Sequence, residues 1–198
     1  MVPMTWLDAL PRDPVAPLLA SGHSAVVHWT RELLGEPNAA ARAALWDLPV
    51  PRRILRRQAE DGSWTYPGRR ARGATDYDLL ETYRELGFLV EMFGLTRVHP
   101  AVRAAADYVL AHQSPDGDLR GIYGNQPSPN YTAGLLELLV KAGYADDPRV
   151  GQAFVWLEAS RQDDGGWAIP FRTRGLSLEA IGEHAPAERD PAGRRRTS

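Results

Sequence analysis

Three turns in this chain share one pattern, and each follows a segment with helical periodicity. The first reads Gln58-Ala-Glu-Asp-Gly62-Ser-Trp64, the second Gln113-Ser-Pro-Asp-Gly117-Asp-Leu119, the third Gln162-Asp-Asp-Gly165-Gly166-Trp167. The Gln-to-Gln steps are 55 and 49 residues (113 minus 58, 162 minus 113). A period of about 50 residues holding two helices is the pattern of stacked helical hairpins. The residue types suit such a joint. Asp-Gly after a helix makes a turn in which glycine takes a positive φ. Glutamine carries amide donors and a carbonyl acceptor, so it can tie loop backbone to a helix end. Tryptophan offers a flat apolar face and one N–H, suited to the seam between hairpins.

The segments between these turns read as helices. Ser24 to Leu34 carries Val26, Val27, Leu33 and Leu34, with Gly35 as a stop. Pro37 to Leu48 is alanine-rich, and Val50 to Gln58 places Val50, Ile54 and Leu55 on one face opposite a run of arginines. Asp76 to Phe93 has apolar residues at spacings of three and four, from Leu79 through Leu86 to Phe93. Pro100 to His112, Tyr131 to Lys141 and Pro148 to Arg161 complete the set, the last with Val150, Phe154 and Leu157 as its stripe. No Asn-Gly or Asp-Gly lies between two alternating runs, as a hairpin of strands requires. The expected fold is all-α, a single repeat domain over residues 1–181. Residues 182–198, with almost no apolar side chains and Arg194-Arg195-Arg196 near the end, read as a polar tail.

Composition narrows the function. The 198 residues are 43% hydrophobic and 24% charged, with a formal net charge of -2, so no global basic field attracts nucleic acid or an anionic membrane. The chain has no cysteine, which removes disulfides, thiolate metal sites and cysteine nucleophiles together. The five histidines, His23, His28, His99, His112 and His184, show no zinc spacing, and no nucleotide loop or nucleophile elbow is present. No run is apolar for long enough to span a bilayer, and no signal-peptide pattern opens the chain. A cytoplasmic protein is expected. Lys141 is the single lysine among basic residues that are otherwise arginine.

The three turns resemble the QW motif of the squalene–hopene cyclase and terpenoid cyclase superfamily, whose α/α toroid is shared with the β subunits of protein prenyltransferases. The third turn with its helix, Phe154 to Trp167, fits best, and the second departs with Leu119 in the tryptophan position. The resemblance covers roughly Val50 to Ile169. It implies an incomplete α/α toroid, because about 50 residues per hairpin leaves this length room for roughly four. The arc would be open, truncated, or completed by a second chain or another copy.

The resemblance also implies an apolar isoprenoid or lipid ligand on the concave face. In such cyclases a buried acid in a DxDD motif protonates an alkene or epoxide, aromatic faces stabilise the cation, and no metal or organic cofactor is used. The nearest match is Asp76-Tyr77-Asp78-Leu79, with Leu79 in place of the last acid. On that reading Asp78 is the proton donor and Asp76 its neighbour, and an active protein would be a terpenoid-cyclase-like isomerase or lyase. Aspartates at a helix start also cap free N–H groups, and Asp76 and Asp78 suit that role equally. Asp146-Asp147 and Asp163-Asp164 read as turn residues. The segment from Asn130 to Leu136 is similar to a zinc-ligand region of the prenyltransferases but lacks its cysteine. A non-catalytic interaction module or a truncated, inactive homologue is the alternative expectation.

Overall fold

The computed structural model describes residues 6–69, 76–120, 127–162 and 164–167. These form α1 (Val15–Leu19), α2 (Ser24–Leu33), α3 (Ala39–Leu45), α4 (Pro49–Leu55), α5 (Tyr77–Gly87), α6 (Pro100–Ala111), α7 (Pro129–Lys141) and α8 (Pro148–Ala159). A short 3₁₀ turn, Trp6–Ala9, precedes them, and a π-helical segment, Phe88–Met92, continues α5. Among the described residues the only β pairings are two isolated bridges, so the all-α expectation holds. The 182–198 tail lies outside the described residues, as does Asp163.

Proline opens four of the helices, α4, α6, α7 and α8. Its fixed φ suits the first turn, where its missing N–H leaves no bond unmade. Side-chain caps add to this. Asn38, His99, Ser128 and Asp147 each accept a backbone N–H at the start of α3, α6, α7 and α8.

α5 packs against α6 and α7, and α7 against α8. The turn after α4 presses Gly62 onto Ala104 of α6, and the turn after α6 presses Gly117 onto Gln152 of α8. The turn after α4 thus reaches α6 and the turn after α6 reaches α8, while α5 and α7 pack on each other. Leu79, Leu86, Leu89, Val102, Val109, Leu135 and Leu139 fill the space between, all essentially inaccessible.

The three turns are built alike. Gln58 Nε2 donates to Gly62 O within its turn (3.0 Å) and to Ala101 O in the first turn of α6 (2.9 Å). Gln113 Nε2 repeats both bonds, to Gly117 O (2.9 Å) and to Arg149 O in the first turn of α8 (2.8 Å). Gly62, Gly117 and Gly165 all have positive φ, at 89°, 107° and 88°. Trp64 Nε1 donates to Ile54 O and Trp167 Nε1 to Leu157 O, each ten residues back. Leu119, in the tryptophan position, is fully buried without such a bond to make.

The third turn corrects the sequence alignment. The bridges pair Gln113 with Leu119 and Arg161 with Trp167. Arg161, not Gln162, therefore stands where Gln58 and Gln113 stand. Its Nε donates to Gly165 O at 2.9 Å, reproducing the glutamine's bond within the turn. Gln162 instead takes the next position, its N–H donating to Gly166 O.

Three helix faces also differ from expectation. On α2 the buried residues are Ala25, His28 and Thr30, while Leu33 is 72% exposed. A histidine on the inner stripe obscures the periodicity there. On α8 the buried set is Val150, Ala153 and Trp156, and Phe154 is half exposed. On α4, Pro51 and Ile54 are buried and Val50 is not.

Two histidines make stability depend on pH. Burial pushes the pKa of His28 below the ordinary 6.5, with Glu32 opposing and Arg42 adding to the fall. Burial likewise lowers that of His99, aided by Arg103. On acidification the unfolded chain takes up these protons first, so the stability both groups supply is full above about pH 6.5 and is lost as pH falls below it. The urea midpoint should therefore be lower at about pH 5.5 than at about pH 7.5, and His28→Gln should flatten the slope. A wild-type midpoint constant over that window would contradict this.

Candidate functional site

Asp76 and Asp78 both sit at the start of α5, and each has a structural partner. Asp76 is the N-cap, its Oδ1 accepting the Leu79 N–H at 2.8 Å. Its Oδ2 lies 3.3 Å from His112 Nε2. His112 Nδ1 is 2.8 Å from Tyr108 O. A carbonyl only accepts, so Nδ1 carries the proton there. His112 thus stands where the end of α6 meets the beginning of α5. No sequence motif marks His112, because its partner lies 36 residues away (112 minus 76) at the start of another helix.

Asp78 Oδ1 accepts the Tyr66 N–H at 2.8 Å and so fixes the chain just after Trp64. The Thr82 hydroxyl, one turn further on, donates to Asp78 O and accepts the Trp64 N–H. Thr132 plays the corresponding part in α7, accepting the Leu119 N–H. Tyrosine rings stand close by: Tyr66 and Tyr77 have centroids 4.8 Å apart, and Tyr108 lies 4.6 Å from the His112 ring. Asp146, Asp147 and Asp164 are held in or beside turns as expected. Asp147 caps α8, Asp146 pairs with Arg97, and Asp164 accepts the Gly166 N–H.

A separate groove of about 350 Å³ runs along the seam of α5, the π segment and α7. Gly87 and Gly134 leave it open, Phe88, Met92 and Leu138 give it apolar walls, and Tyr83, Arg84, Glu91 and Glu137 line the rest. A Cβ at Gly134 would stand 2.6 Å from the Tyr83 hydroxyl, so glycine is what admits that ring. Burial raises the pKa of the Tyr83 phenol above its ordinary value, with Glu91 and Glu137 adding to the rise. It therefore remains a hydrogen-bond donor at neutral pH. Tyr131 packs edge-on against Tyr83 at 6.3 Å.

Asp78 precedes Gly87 by nine residues (87 minus 78), two and a half turns of helix. It therefore leaves α5 on the side away from the groove, and the structure does not bring these two features together. The wider π turn places Phe88, Glu91 and Met92 on the groove. Such insertions recur at functional sites, and nothing in the Phe-Leu-Val-Glu-Met sequence announces one. No group of three or more metal-ligating side chains occurs among the described residues, and none of their helices is long and apolar enough to cross a membrane.

A squalene–hopene cyclase of Zymomonas mobilis subsp. mobilis is 32% identical to this chain over 74 residues, which is 37% of this chain and 11% of the cyclase. The matched stretch is thus about a tenth of that relative's length. No family model matches the chain, and no solved structure matches it. The likeness reaches the squalene-cyclase group through part of the chain, and the helical fold of the described residues agrees with it.

Proposed function

We propose that this chain is a cyclase-like helical-repeat protein that binds an apolar isoprenoid in the groove between α5 and α7. The observation that carries this reading is the groove itself. Phe88 and Met92 are about half exposed, at 45% and 51%, beside two glycines that keep the seam open. Pockets of this volume with apolar walls and a few polar groups suit small ligands. The jointed turns and the partial likeness to a squalene–hopene cyclase support the isoprenoid class. On this reading α5 and α7 form the concave side of an α/α arc, which a second copy or another chain completes.

Native mass spectrometry of the purified protein, with an organic extract of the same sample, tests it. The expected result is a bound isoprenoid at a stoichiometric level, or saturable binding of added farnesol or squalene. A protein that carries no lipid and binds neither compound overturns the reading.

Cyclisation, with Asp78 as proton donor and Asp76 as its neighbour, is a second reading. It is favoured by the rings of Tyr66, Tyr77 and Tyr108 near these carboxylates, since aromatic faces stabilise carbocations. Asp78→Asn separates the two. The amide oxygen can still accept the Tyr66 N–H, so the fold should change by no more than about 1 kcal/mol. Turnover of squalene or a linear isoprenoid should vanish while binding persists. Turnover that survives Asp78→Asn would remove Asp78 from the chemistry.

A further inference from the structure

Lys141, the only lysine of the chain, joins the two sides of the groove. Its Nζ lies 2.7 Å from Glu137 Oε1, one turn back on α7, and 2.6 Å from Glu91 Oε1 on the π segment opposite. The two carboxylates hold the ammonium charged, raising its pKa above the ordinary lysine value, Glu137 contributing most.

This bridge stands where two cavities meet. Glu91 and Glu137 line the groove of about 350 Å³ already described. Glu91 and Lys141 line a second cavity of about 330 Å³, whose walls include Trp29, Val90 and Leu95. Trp29 is fixed there by its Nε1 donating to Met92 O at 2.9 Å, with Arg42 over its ring. The second cavity is apolar apart from those charges and Thr96, and Glu91 is common to both.

We infer that Lys141 is a strap that limits the length of isoprenoid the groove accepts. The inference rests on the groove being the isoprenoid site. A hydrocarbon chain entering from the Tyr83 end meets three charged groups at Lys141. Passing beneath them strips water from charges without replacing it by hydrogen bonds, which is unfavourable. The ligand therefore stops at the strap, its polar end near the Tyr83 hydroxyl, and the cavity beside Trp29 stays empty. Lys141, Glu91 and Glu137 are all substantially exposed, and exposed ion pairs contribute little to stability. Removing the strap should leave the fold intact.

Geraniol, farnesol and geranylgeraniol titrated into the wild-type protein and into Lys141→Met test this. In the wild type, affinity should stop rising once the chain fills the first cavity. In Lys141→Met the half-exposed Glu91 and Glu137 are no longer held across the seam and can turn out to water, so affinity should continue to rise and geranylgeraniol should bind roughly tenfold or more tighter than to the wild type, since each buried methylene is worth about fourfold before ordering costs. Glu91→Gln should extend the range in the same direction, and Lys141→Arg, which keeps the strap, should restore the wild-type profile. A wild-type affinity that climbs through geranylgeraniol, or identical profiles in wild type and Lys141→Met, overturns the strap while leaving the groove as a ligand site. Absence of binding to any of the proteins overturns both.

Discussion

Gly62→Ala is expected to destabilise the protein by about 2–5 kcal/mol, the sum of two separate costs. The residue has a φ of 89°, which a side chain adopts at a cost of roughly 1–2 kcal/mol. The added Cβ would also fall 2.2 Å from Ala104 O and 2.4 Å from Ala104 C. Those are backbone atoms of α6, which cannot rotate aside, so turn and helix must part. Overpacking of this kind costs about 1–3 kcal/mol. Gly22→Ala supplies the control: its φ is 70° and nothing lies within 4 Å of a Cβ there, so only the backbone strain applies. Urea unfolding of both variants measures the difference. Equal losses would mean that the Gly62 turn does not bear on α6.

Trp64→Ala should cost about 3–5 kcal/mol, as large-to-small changes at buried aromatic positions do. The side chain is 1% exposed and among the largest fully buried groups of the core. Its loss leaves a void and leaves Ile54 O without the indole donor. Trp64→Phe refills most of the space but not the bond, and should cost about 1–2 kcal/mol. With total stabilities of domains near 5–15 kcal/mol, the alanine variant would lower the denaturation midpoint severely. A loss below about 1 kcal/mol for Trp64→Ala would show that Trp64 is not part of the cooperative core.

The elements that sequence periodicity identified are those whose partners are local. α6 and α8 begin at Pro100 and Pro148 as read, because a proline at a helix start acts within its own turn, while α7 begins at Pro129, two residues before the expected Tyr131. The three turns were legible for the same reason. The third was misread by one position because Gln162 matches the side chain of Gln58, whereas backbone register selects Arg161. A guanidinium can fill the place of an amide in bonding the turn's own carbonyl, and no sequence pattern expresses that equivalence.

The candidate site was legible only in part. Asp76 and Asp78 were visible as a pair; Asp76 caps α5 as its position suggests, whereas Asp78 accepts the N–H of Tyr66 from the preceding turn. His112 beside Asp76, the π turn and the bridge from Lys141 to Glu91 depend on contacts between distant segments. Periodicity carries no information about such contacts. Phe154 and Val50 were placed on buried stripes for a related reason: a helix wheel gives spacing but not which side meets a neighbour.

The glutamine bonds have a sense of direction. Gln58 donates forward to α6 and Gln113 forward to α8, so every fastener has its donor on one repeat and its acceptor on the next. Such a contact is head-to-tail, never self-complementary. An isologous contact, with a two-fold axis through the interface itself, cannot reuse it, because two donors would face each other. Units joined this way can only curl round until first meets last, or run on as an open spiral, and the small rotation between neighbours decides which.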